Sequence, residues 1–277
     1  MKITSVTARQ LLDCKARPLV EVEVTTDTGV VTRGAAPTGS SVGAHEAFIL
    51  RDNDPAEYGG QSVHRAVAAV HEEISPVLVG AELDDLAALD RRMIELDGTA
   101  DKSRLGGNAI YSTSIALLRA AAAGAGVPTY AYVNELMGLE PISTVPVPSF
   151  NMINGGRAGD VVQPFNEFIV MPYRADSIQS AVEMSVRLFR VVGEVLADYL
   201  GTSPAVASSY GYVAPSSDPR TVLELFDKAV DQAGYSDVMA FALDCASSEF
   251  YDADTRTYEL HGRRVDSAEL IDFTREL

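Results

Sequence analysis

Residues 237–252 read DVMAFALDCASSEFYD. An unbroken apolar run, Val238 to Leu243, stops abruptly at Asp244 and Cys245. A run of that length without alternation fits a strand covered on both faces, as in a sheet wrapped by helices. A carboxylate at the end of such a strand is either a catalytic or metal-binding group, or a cap for the turn that follows.

The flanking segments agree with a helix-wrapped sheet. VPVPSFNMINGG (145–156) is a strand ending in glycines, and NEFIVMPY (166–173) is a second strand. DSIQSAVEMSVRLFRVVGEVLADYLG (176–201) is a long amphipathic helix, and DPRTVLELFDKAVDQAG (218–234) is another. Two short polar strands, EFYD and RTYEL, follow Asp244, and DSAELIDFTREL closes the chain as a helix capped by Asp266. Apolar strands alternating with helices predict a parallel α/β barrel. A complete barrel typically takes ~250 residues, and residues 136–277 supply about half of that, with only three strong strands. A fragment or a partner chain completing the barrel is expected.

Residues 1–135 differ in style. PLVEVEVTTDTGVVTRGAA (18–36) alternates, placing Val20, Val22 and Val24 on one face and Glu21 and Glu23 on the other, with a turn at Asp27-Thr28-Gly29. A small-residue loop, PTGSSVGA (37–44), follows. Helices are predicted in SVHRAVAAVHEEI, in DDLAALDRRMIELDG up to Gly98, and in NAIYSTSIALLRAAAAGAG, which is apolar nearly all round and should be buried. Strands then helices in blocks make this an α+β domain.

Composition narrows the function. The chain has 277 residues, 47% hydrophobic and 22% charged, as expected of a globular protein with a core. A net charge of -17 repels phosphate backbones, so no nucleic-acid binding is expected. The same field opposes an anionic metabolite unless a cation or local cluster reverses it. The two cysteines, Cys14 and Cys245, form no disulfide framework or zinc spacing, which points to a reducing, cytoplasmic setting. MKITSVTARQ lacks a signal-peptide core, and SIALLRAAAAGAGVP is too short to span a membrane.

Five segments in order resemble the enolase family: LLDCKARPLVEVEV, AAPTGSSVGAHEAFILRDND, ELDGTADKSRLGGNAI, VPVPSFNMINGG and ALDCASSEFYD. The implied fold is an α+β N-terminal cap domain (1–135) followed by an incomplete enolase-type α/β barrel (136–277). The implied chemistry is a lyase that dehydrates 2-phosphoglycerate, a small phosphorylated carboxylic acid, with Mg²⁺ neutralising the charge on the substrate carboxylate. The resemblance implies Asp244 as a metal ligand, Ser41 as a loop group on the second metal and substrate, Glu167 as a catalytic carboxylate and Asn166 as a substrate-side amide where the family commonly has Gln. It also implies homo-oligomers. Two further metal carboxylates and the catalytic lysines of the pattern fall outside this chain.

Departures accompany the matches. Ala158 stands where the family pattern has His, beside an added cation, Arg157. AVASSYGYVAP (205–215) carries Ser208 and Ser209 where the family has an acidic pair. A serine hydroxyl cannot replace a carboxylate in proton transfer near neutral pH. Three functions stay open: part of an enolase-type lyase, an enolase-like enzyme of phosphonate biosynthesis with altered acid/base groups, and a non-catalytic protein, either a decayed copy or a partner-dependent subunit.

Overall fold

The computed structural model describes residues 1–37, 42–156 and 162–277. It forms two compact units, one built on the N-terminal strands and His45–Ser143, the other on Thr144–Leu277.

In the first unit, β1 (Ile3–Leu12), β2 (Pro18–Thr26) and β3 (Val31–Ala36) form an antiparallel sheet in that order. The alternation of β2 does what it predicts: Val20, Val22 and Val24 are wholly buried. Glu21 and Glu23 face outward and meet Arg9 and Arg33. Such exposed pairs contribute little to stability. β1 has no counterpart in the sequence reading, because only Ile3 and Val6 of it are buried.

Helices cover the buried face. A helical run passes from α1 (His64–Ala69) through a π turn (Val70–Ile74) into α2 (Ser75–Leu78). α3 (Leu86–Asp97) starts on Asp85, whose side chain accepts the Ala88 amide at 2.8 Å, and ends at Gly98 as predicted. α4 (Gly107–Gly124) is the central helix and is largely buried, as its all-round apolar character requires. Ser112 Oγ donates to Val20 O at 3.0 Å and Thr32 Oγ1 to Ala116 O at 2.8 Å, tying α4 to the sheet. α5 (Thr129–Leu136) is an addition to the sequence reading. Pro128 looks like a helix terminator, yet its φ of -60° sets up the start of the next helix. No single helix among the described residues is long and apolar enough to cross a membrane.

In the second unit, β4 (Phe150–Asn154), β5 (Glu167–Met171), α6 (Ile178–Leu200), β6 (Tyr212–Val213), α7 (Pro219–Gln232) and β7 (Ala240–Asp244) follow in turn. The sheet order is β6-β4-β5-β7 and is open at both ends among the described residues. β4 and β6 are parallel, but β5 is antiparallel to both β4 and β7. The expected all-parallel sheet is therefore corrected to a mixed one. Parallel neighbours need a crossover, usually a helix, and no helix lies between β4 and β5 among the described residues. β6, only two residues long, is a fourth strand too short to show in the pattern.

α6 and α7 pack on this sheet through Leu188, Val192, Val195, Leu196, Val222 and Phe226. β7 is not doubly covered as its apolar run predicts. It is one of the two edge strands among the described residues, and Phe241 is 40% exposed. Beyond it, β8 (Tyr251–Asp252), β9 (Thr257–Leu260) and β10 (Arg263–Val265) form a small antiparallel sheet before α8 (Ser267–Arg275). Asp266 caps α8 as read from the sequence, accepting the Glu269 amide at 2.9 Å.

Candidate functional site

β4, β6 and β7 run the same way, so their C-terminal ends share one rim of the sheet with the start of the reversed β5. The register sets Asn154, Glu167 and Asp244 side by side across β4, β5 and β7. Three polar residues, each at a strand end, thus converge from segments far apart in sequence.

Asp244 is held from two sides. Its Oδ1 accepts the Ala246 amide at 3.0 Å, and its Oδ2 accepts Asn166 Nδ2 at 3.0 Å. The Asn166 amide also donates to Asp244 O at 2.8 Å. Asp244 is therefore a cap for the turn after β7, and each oxygen keeps a second lone pair for another partner. Asn166 in turn accepts the Gly155 amide on its own carbonyl at 2.8 Å, which stitches the ends of β4, β5 and β7 together. Gly155 is needed for that closeness: a Cβ there would lie 2.2 Å from Phe165 O, a backbone atom that cannot rotate aside.

Asn154 is a rim residue that the sequence reading left unassigned. It is buried, and its Oδ1 accepts the Gly211 amide at 3.0 Å, docking the turn that carries Ser208 and Ser209. That turn is closed by Tyr210 N to Ala207 O at 2.9 Å and Ala207 N to Gly211 O at 2.8 Å. A buried asparagine just before a Gly-Gly pair is the signal that marks it. Glu249, in a single 3-10 turn after β7, brings a third carboxylate near the rim, with Oε2 3.8 Å from where a Cβ on Gly156 would stand. Ser41, Arg157 and Ala158 lie outside the described residues.

Burial pushes the Cys245 thiol up, and the neighbouring Asp244 charge adds to the shift. The residue is thus a poor nucleophile at neutral pH.

Among the described residues, the rim does not assemble a complete Mg²⁺ site. Mg²⁺ takes near-octahedral oxygen ligands and gives up its waters reluctantly. Asp244 offers one carboxylate, already bearing a donor on each oxygen. Among the described residues, Asp244, Glu167 and Glu249 do not converge as a three-ligand set within 4.8 Å.

Comparison with known proteins identifies the family. Residues 3–133 match the family model described as the N-terminal domain of enolase, and residues 142–276 match that of the enolase C-terminal TIM barrel domain. The chain is 40% identical over 279 residues to a protein named Enolase from Methanopyrus kandleri, covering 100% of this chain and 64% of that protein. It is 39% identical over 271 residues to Enolase B of Dictyostelium discoideum, covering 98% of this chain and 61% of that protein. The chain thus spans less than two thirds of the length of the curated relatives it matches.

Proposed function

The chain belongs to the enolase family, with its N-terminal domain and part of its C-terminal barrel domain, and from that premise we propose that it carries one side of an enolase-type lyase site without turning over 2-phosphoglycerate by itself. The observation that carries this reading is the rim: Asp244 is fixed in place by Asn166 and Ala246, beside Glu167, and among the described residues no three-ligand set closes around it. In this reading Asp244 supplies one metal-side carboxylate and Glu167 a proton-transfer group. Asn166 positions Asp244, and Ser41 serves the substrate side. Mg²⁺, when bound in a completed site, neutralises charge on the substrate carboxylate.

The test is calorimetric titration with Mg²⁺, with and without 2-phosphoglycerate, alongside an assay for phosphoenolpyruvate. No coupled binding at millimolar concentrations and no turnover is the expected result. Coupled, stoichiometric binding with product formation sinks the proposal.

A second reading, enolase-like chemistry with altered acid/base groups as in phosphonate biosynthesis, is favoured by one observation. Ser208 and Ser209 ride a turn that Asn154 docks at the rim, where the family pattern has acids. Binding of a phosphonate acid in the same titration, with 2-phosphoglycerate ignored, distinguishes it.

The same reading extends to partners. The β7 edge is open among the described residues, and Ile178, Val182 and Val186 leave an exposed stripe on α6. Open edges and apolar stripes recruit other chains. In size-exclusion chromatography with light scattering the chain should run above its 29.6 kDa monomer mass. A concentration-independent monomer contradicts that expectation.

A further inference from the structure

We draw no further inference here: the strongest candidate, the surface side-chain cluster of Asp52, Glu57 and His64 at the start of α1, has no second observation beside it that points to a ligand, because Asp52 caps the helix and the buried Ser62 hydroxyl belongs to that cap.

Discussion

Replacing Gly34 by alanine should cost the first unit about 3 kcal/mol or more, and Gly34→Val should leave it unfolded. Gly34 sits in β3 beneath α4. A Cβ at that position would lie 2.2 Å from Ser112 O and 2.5 Å from Ala116 N. Both are backbone atoms of α4, so no side-chain rotation relieves the clash. The helix must withdraw from the sheet. Withdrawal breaks the bonds from Ser112 Oγ to Val20 O and from Thr32 Oγ1 to Ala116 O. Overpacking a core typically costs ~1–3 kcal/mol, and each lost hydrogen bond adds about 1 kcal/mol. Urea unfolding followed by circular dichroism reads the effect. A Gly34→Ala midpoint equal to that of the parent would mean that sheet and helix are not packed this closely.

Asp97→Ala is expected to be nearly as damaging, at about 3–5 kcal/mol. Asp97 is 3% exposed, at the end of α3. Its Oδ2 accepts the Leu105 amide at 2.7 Å, and its Oδ1 accepts the Thr99 amide at 3.0 Å and the Thr99 hydroxyl. Removing the carboxylate leaves these donors without their acceptor and frees the 98–106 loop that leads into α4. Asp97→Asn keeps one oxygen but turns an amide toward donors, so it should fall between the parent and Asp97→Ala.

The same carboxylate gives a pH dependence. Burial opposes its charge, but the Leu105 and Thr99 donors outweigh that and hold the acid below its ordinary range. Its folded-state pKa is thus lower than the unfolded value of about 3.9. The stabilisation is complete above the unfolded value and is lost as pH falls through the folded one. Chemical melts of the parent should therefore weaken below pH ~4, and the Asp97→Ala melts should weaken less over that window. Identical pH profiles for the two proteins would exclude Asp97 as the source.

The role of Asp97 also shows how sequence and structure divide the information. ELDGTADKSRLGGNAI points to the enolase family as a string of letters, and the family comparison agrees. Nothing in the string says that Asp97 is a buried acceptor for an amide eight residues later. Likewise, FNEF and ALDCAS mark Asn166 and Asp244 as residues of interest, but not as partners. The turn at 207–211 reads as a departure from a pattern, yet its docking on Asn154 is invisible until β4 and β6 pair.

By itself, the sequence determined what depends on near neighbours. The buried face of β2 follows from alternation, the end of α3 from Gly98, and the start of α8 from Asp266. Each is settled within a few residues, where dihedral preference and one hydrogen bond decide the outcome. Only the tertiary structure decided that β5 runs against its neighbours, that Asn166 clamps a carboxylate 78 positions away, and that Asp52, Glu57 and His64 come together. Strand direction and long-range pairing depend on how the chain returns to itself, and that return is set by the sum of all packing contacts, not by any single segment.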